Sequence, residues 1–444
     1  MPLRAESQAS DLKIADLQET WRILTLDERE EAFADLTRDQ AEDFFFDLKA
    51  RDQYELISGM PPSQRRSWLR LLPPDDVADV LQETADMEER EAFLALLDDP
   101  TRREVSALLA YAEDDAGGLM NPRAPRVRPD VRVDEALGYV RKQAREQPSN
   151  VPYIYVLDTD QKLLGVVSLR ELFAAPPEKT VREVMTSGLV TASEDLDQEA
   201  LSRLFAKSDL QAIPVVDQAG RMKGVVTVDD IVDVLQEEAT EDIQKIGGSE
   251  ALDAPYLETG LLGMVRKRVS WLAILFVSEM LTTTAMSRFE HEIERAVVLS
   301  VFIPLIISSG GNSGSQASTL VIRALALGEL KLMDWWRVVS REVASGLLMG
   351  GILGVIGFTR IELWQSIFHS YGPHHLLVAV TVAASVVGVV TWGTLSGSML
   401  PFLLRRVGLD PASASAPFVA TLVDVTGIVI YFTTATLILR GTLL

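Results

Sequence analysis

Cysteine is absent from the 444 residues, which removes disulfides, zinc–thiolate sites and cysteine nucleophiles together. Histidine is scarce, and His291, His369, His374 and His375 all fall in short segments between apolar stretches, where they read as surface residues. No HExxH, GxSxG, Walker A or CxxC motif occurs, so no enzyme class is indicated. Basic charge is short as well, with 42 Lys+Arg against 64 Asp+Glu and a formal net charge of −22. Such a surface repels phosphate backbones and disfavours nucleic acid, which makes cations the natural partners. The opening MPLRAESQASDLK holds no apolar run of the kind that starts a secretory signal, so the first part is expected to stay in the cytosol.

What the chain does contain is unevenly placed. Residues 1–250 hold 52 Asp+Glu against 29 Lys+Arg, net −23, which leaves 12 against 13, net +1, for residues 251–444. Beyond residue 270 five apolar stretches follow, 270–287, 296–322, 338–359, 376–400 and 415–439. Each is long enough to cross about 30 Å of hydrocarbon as a helix. Basic residues gather before the first stretch (RKR, 266–268), after the second (Arg323, Lys331, Arg337, Arg341) and after the fourth (Arg405, Arg406), while 287–295 and 360–375 are acidic or nearly uncharged. The positive-inside rule then puts the N-terminus in the cytosol and the C-terminus outside.

Residues 119–240 repeat internally. LMNPRAPRVRPDVRVDEAL matches VMTSGLVTASEDLDQEAL, and YIYVLDTDQKLLGVVSLREL matches AIPVVDQAGRMKGVVTVDDI, with Asp158/Asp217, Gly165/Gly224 and Ser168/Thr227 all 59 apart. Each unit reads as an amphipathic helix, two β-branched strands around a turn, and a further helix. This resembles a CBS-domain pair. Before it, LTLDEREEAFADL, LTRDQAEDFFFDL, MPPSQRRSWLRLL and LPPDDVADVLQET each pair a Thr, Pro or Asp start signal with helical periodicity, which predicts a superhelix of short helices. The expected domains are a helical superhelix (1–118), the tandem pair (119–240), a largely helical connector (241–268) bending at Gly247, Gly248 or Pro255, and a membrane domain (269–444). The fold class is thus a multidomain membrane protein with an all-α N-domain, an α/β pair and a five-helix membrane domain.

Three features carry chemistry. SSGGNSGSQAS (308–318) lies inside the second apolar stretch. Glycine costs about 1 kcal/mol per residue in a helix relative to alanine, so a break there is expected, with Asn312, Ser313 and Gln316 offering oxygens to a hydrated ion. Close packing through small residues suits the same spacing. Asp424, in ATLVDVTG, is the only acidic residue after Pro411; an ionisable group inside a span costs about 3 kcal/mol unless it faces water, a partner or an ion. A pair with Arg323 is the structural alternative, and Glu279 in the first stretch makes a similar but weaker claim. Third, Asp75 and Asp79 share a helix face, and Asp230, Asp233, Glu237, Glu238, Glu241 and Asp242 line the end of the second repeat unit. Such faces are solvated, paired or neutralised by a cation; oxygen-only ligands favour Mg²⁺ or Ca²⁺.

In this order the parts resemble the MgtE family of bacterial magnesium channels over residues 20–440. The likeness is carried by EDDAGGLM (113–120), VVTVDDIVDVLQEEATEDI (225–243), PLIISSGGNSGSQAS (304–318) and GSMLPFLLRRVGLDP…PFVATLVDVTG (397–427). The resemblance implies a homodimer in the cell membrane that admits hydrated Mg²⁺ to the cytosol through a pore lined by the second and fifth spans. It implies an ion-selecting Asp424 beside the backbone of Ala420, and a second span broken at Gly310, Gly311 and Asn312. Gating sites for cytosolic Mg²⁺ would fall on Asp75, Asp79, Asp197, Glu199, Asp209, Asp230, Asp233, Glu238, Glu241 and Asp242, with 241–268 acting as a plug-type helix. Ala416 departs from relatives that carry asparagine there. CBS units also commonly hold ATP or another adenosine nucleotide, for which Ser168, Arg170 and Glu171 are the candidates. The alternatives are a CBS-regulated carrier of another divalent cation and a non-conducting membrane sensor of cations or nucleotides.

Overall fold

Helix-start chemistry recurs at short intervals along the N-terminal part, and the chain turns at each one. The computed structural model describes residues 14–443 apart from 85, 147–151, 253, 255 and 258, so the expected bend at Pro255 lies outside the described residues. The chain divides into two compact units, Met1–Leu235 and Gln236–Leu444. In the first, α1 (Leu26–Ala34) and α2 (Arg38–Phe46) open on capping boxes at Thr25/Glu28 and Thr37/Gln40. These boxes satisfy backbone N–H groups that a helix start leaves free. Next come α3 (Ala50–Gly59), α4 (Pro62–Leu69), α5 (Pro74–Gln82), α6 (Met87–Leu96) and α7 (Asp99–Leu108), of which α4, α5 and α7 carry proline in the first turn. Their apolar faces meet around Phe33, Phe45 and Trp68, with ring centroids 4.9 Å apart for Phe45 and Trp68 and 5.2 Å for Phe33 and Trp68.

The repeat folds as two three-stranded sheets of the same design. β1 (Arg126–Val127) lies parallel to β2 (Tyr153–Leu157), which pairs antiparallel with β3 (Leu163–Ser168); β4 (Ala192–Ser193), β5 (Ala212–Val216) and β6 (Met222–Thr227) do the same. The pairs Tyr153↔Ser168 and Ala212↔Thr227 coincide after the 59-residue shift, and so do the register slips at Val156/Leu157 and Val215/Val216. Asp158 and Asp217 close the two hairpins by accepting two backbone N–H groups each. The helices of the pair are α8 (Val133–Glu146), α9 (Leu169–Ala174), α10 (Val181–Val184) and α11 (Gln198–Ser208). The short parallel strands β1 and β4 are additions to the expected pattern. Then α12 (Val228–Ile246) runs unbroken past residue 240. It stops at Gly247–Gly248, where Gly248 has φ +77°, a conformation that a side chain would strain. Among the described residues the connector is therefore helical to Ile246 and again from Leu261.

Five helices in the second unit are long and apolar enough to cross a membrane: Leu261–Arg288, Val297–Ala326, Leu332–Phe368, His375–Arg406 and Ala416–Leu439. The expected break in the second span does not occur. Its main helix is continuous from Ile303 to Ala326, straight through Gly310 and Gly311. A broken turn in hydrocarbon would leave N–H and C=O groups unpaired at several kcal/mol each, more than the glycines lose by staying helical. The glycines instead bring backbones together. Gly310 and Gly314 face Gly393 and Gly397 of the fourth span, where a β-carbon on Gly314 would sit 2.9 Å from the Gly393 carbonyl oxygen and one on Gly397 would collide with that of Gly314. This is small-residue packing on both helices. Gly397→Val should therefore lower the yield of monodisperse protein in detergent sharply, by overpacking worth about 3 kcal/mol or more; a size-exclusion profile like that of the native chain would contradict this.

Candidate functional site

The serines of the polar tract fasten the second span to the start of the last one. Ser315 Oγ donates to the Ala416 carbonyl at 3.1 Å and Ser318 Oγ to that of Ala414 at 2.9 Å. Ser415 caps the last span, its Oγ accepting the Phe418 N–H at 3.4 Å. With the two helices held this way, Gly311 faces Ala420 and Asp424: a β-carbon at Gly311 would lie 3.5 Å from Ala420 Cβ and 3.9 Å from Asp424 Oδ1. Gly311 thus lets the backbone of the second span approach a carboxylate within the apolar region. Three of the sequence-derived residues, Gly311, Ala420 and Asp424, come together here. Gly310 turns away, toward Val389 and Val423.

Asp424 is half-buried and makes no hydrogen bond or ion pair among the described residues. The structural alternative, a pair with Arg323, is not formed. Asn312 points to the exposed side, its side-chain amide donating to Ser308 Oγ at 3.4 Å. Together Ser308, Asn312, Gln316 and Thr319 make an exposed polar stripe on a helix that is otherwise suited to lipid. Such a stripe calls for water or a second protein surface over it. The four-residue spacing of small side chains is the sequence signal for the fastening serines and for Gly393 and Gly397, which the sequence reading of 308–318 as a break leaves unused.

In the first unit α5 presents Asp75 and Asp76 in its first turn. Burial, and then the neighbouring charges of Asp76, Asp230 and Asp79, push the Asp75 carboxyl well above the usual range, and its Oδ1 is buried with no hydrogen-bond partner. Burial followed by Asp230 and Asp229 pushes Asp76, which sequence reasoning had passed over, up to about 6. Asp230 is raised by burial despite accepting the Thr227 hydroxyl at 2.7 Å. Burial and mutual repulsion thus raise the proton affinity of Asp75, Asp76 and Asp230 together.

The remaining predicted ligands stand apart. Asp197 caps α11, accepting from Glu199 N–H at 2.9 Å, while Glu199 pairs with Arg203 at 2.6 Å. Asp209 is exposed in a left-handed turn at the end of α11 and Asp233 is exposed on α12. Glu238 and Asp242 are half-buried on α12, and Glu241 pairs with Lys245, which also reaches Asp410 at 2.8 Å. Burial opposes the Lys245 charge, but Asp410 and Glu241 outweigh it and hold the ammonium protonated. Among the described residues no group of three or more His, Asp or Glu is close enough to hold one metal ion. The predicted cytosolic ligands are therefore not assembled into complete sites within one chain. Ser168 and Glu171 form a capping box on α9, hydroxyl to carboxylate at 2.7 Å, with Arg170 exposed beside it; Thr227 and Asp230 repeat that box on α12. The spacing taken for ribose recognition thus already has a helix-capping role in both units.

The raised carboxyls give a pH dependence. For Asp76, whose folded value lies above the unfolded one, the contribution to the fold is full below about 3.8 and is lost as pH rises through about 6. For Asp76 the gap from 3.8 to about 6 is worth roughly 3 kcal/mol. In divalent-free buffer the chain should melt at a higher temperature at pH 5 than at pH 7.5, and Asp76→Asn should flatten that difference. An unchanged slope in the variant would remove Asp76 from the set.

Comparison with known proteins bears on each part. The MgtE family, described as a divalent cation transporter, matches residues 303–434; the MgtE intracellular N domain matches 12–114; and the CBS domain matches 116–178 and 181–237. A magnesium transporter MgtE of Thermus thermophilus is 43% identical over 371 residues, covering 83% of this chain and 80% of that protein. One of Enterococcus faecalis is 31% identical over 337 residues, 76% and 72% of the two chains. Among solved structures, the cytosolic domain of the Mg²⁺ channel MgtE in complex with ATP aligns with 52% of this chain and 98% of its own, at 36% identity and TM-score 0.47.

Proposed function

The chain belongs to the MgtE family of magnesium transporters, and on that premise we propose that it carries Mg²⁺ into the cytosol along the polar stripe of the second span, past Asp424. The juxtaposition of Gly311, Ala420 and Asp424 supports this most directly, because it sets an unpaired carboxylate beside small residues inside a membrane-spanning bundle. Mg²⁺ releases its water reluctantly, so Asp424 holds the ion through its hydration shell, and the small residues around it leave room for that shell. Ser308, Asn312, Gln316 and Thr319 continue the hydrated route.

The stripe is uncovered in one chain, which favours a homodimer with the path at the interface and two Asp424 carboxylates facing it. Basic residues at one set of helix ends favour the cytosolic side for both the acidic unit and those ends. Cytosolic Mg²⁺ closes the path by binding carboxylates of the acidic part, among them Asp75, Asp79 and Asp230, and the facing surface of a second copy supplies the ligands that one chain lacks. Adenosine nucleotide at the CBS pair would engage Ser168, Arg170 and Glu171 only with rearrangement of the α9 cap. Uptake of Mg²⁺ into liposomes holding the full-length protein, set against Mn²⁺ and Co²⁺, tests the reading. Uptake of another divalent cation alone would make the chain a different carrier, and no uptake at all would leave a sensor.

A further inference from the structure

The first span runs beside the last, and their relative register can be read from contacts near both ends. Trp271 Nε1 donates to Ser415 Oγ at 3.0 Å and its ring lies 6.2 Å from Phe418, while Phe289 stacks on Phe432 at 5.1 Å. These partners are 144, 147 and 143 residues apart. Helices that keep a constant offset run parallel with an equal rise, so the residues level with Asp424 are 277–281. Within that interval Glu279 is the only charged residue. It also acts electrostatically on Asp424 across the helix pair.

The surroundings of Glu279 exclude an ordinary role. It is exposed on its helix and makes no hydrogen bond or ion pair among the described residues. Around it Leu272, Phe276, Val277, Met280 and Leu281 are exposed and apolar, as lipid contact requires, with Thr283 an exposed hydroxyl one turn on. A carboxylate left in hydrocarbon at this depth costs about 3 kcal/mol, and its repulsion with Asp424 adds to that. Thr282, three residues on, is 8% exposed and its hydroxyl has no partner. Water or a cation beside the two carboxylates lowers that cost.

We propose that Glu279 is a second carboxylate of the ion path, level with Asp424, which raises the local negative field and thereby favours a doubly charged ion over K⁺. This rests on Asp424 being the ion-selecting residue. The chain's lack of cysteine makes E279C a clean probe in the full-length protein. In liposomes a small cationic thiol reagent should label E279C and block Mg²⁺ uptake, with Mg²⁺ slowing the reaction several-fold, while L281C stays unlabelled. E279Q should lower Mg²⁺ uptake about tenfold and reduce the preference for Mg²⁺ over K⁺, and E279D should restore most of both. An unreactive E279C, or E279Q with native uptake and preference, overturns the proposal. If E279Q does not fold, the E279C labelling and protection decide alone. Should Asp424→Asn itself leave uptake intact, the underlying assignment fails; should Asp424→Asn abolish uptake while Glu279 tests as inert, only this inference fails.

Discussion

Liposomes carrying Asp424→Asn are expected to take up Mg²⁺ no faster than protein-free liposomes, a loss of at least a hundredfold. Asparagine keeps the shape and removes the charge. At an effective dielectric constant of about 20, a carboxylate attracts a divalent ion about 5 Å away by roughly 7 kcal/mol before desolvation is counted. Losing even half of that raises the barrier enough for the expected fall, since each 1.4 kcal/mol or so is a factor of ten. The variant should fold as well as the native chain, because Asp424 makes no hydrogen bond or ion pair among the described residues whose loss would weaken the bundle. Size-exclusion and thermal melting establish that the protein is intact, and flux by a Mg²⁺-sensitive dye inside the liposomes gives the answer. Uptake within threefold of native would refute the role of Asp424.

Removing residues 1–227, up to the start of α12, should leave uptake intact and abolish its shut-off by internal Mg²⁺. Residues 1–227 hold 44 Asp+Glu against 28 Lys+Arg, net −16, and include Asp75 and Asp76, which lie there at raised proton affinity against Asp230. Ions that bind one state of such a surface stabilise it by mass action, and several ions make the response steep. Native liposomes loaded with millimolar Mg²⁺ should therefore conduct little, and the truncated chain should conduct as if none were present. Full shut-off in the truncated chain would remove the acidic unit from the mechanism.

Much of the architecture was legible in the sequence because it rests on strong, local signals. The 59-residue repeat returned as identical strand registers, and five apolar stretches returned as five spanning helices. The second span was misread at its glycines for a physical reason: propensity measured in water counts their loss of helix stability, whereas hydrocarbon removes the alternative of leaving a backbone group unpaired. What Gly310 and Gly314 do depends on Gly393 and Gly397, some 80 residues away, and no local rule sees that partner. Asp424 was found because charge in an apolar run is conspicuous by itself. Asp76 was overlooked because its strain comes from burial and from Asp230, which only the fold brings near.

The helix α12 begins within the acidic unit and ends at Lys245 and Ile246, where the ammonium grips Asp410 just before the last span and Ile246 packs against Ile322, Ala412 and Ala414. Nineteen residues without glycine or proline behave over about 28 Å as a stiff shaft. Its last turn is tied to Asp410, and a change in its direction is absorbed first at the Gly247–Gly248 joint, where the helix stops. Stiffness in the shaft and give in the joint determine which end of the chain feels the motion. The segment that enters the last span, four residues ahead of Ala414 and ten ahead of Ala420, is the part placed to receive it.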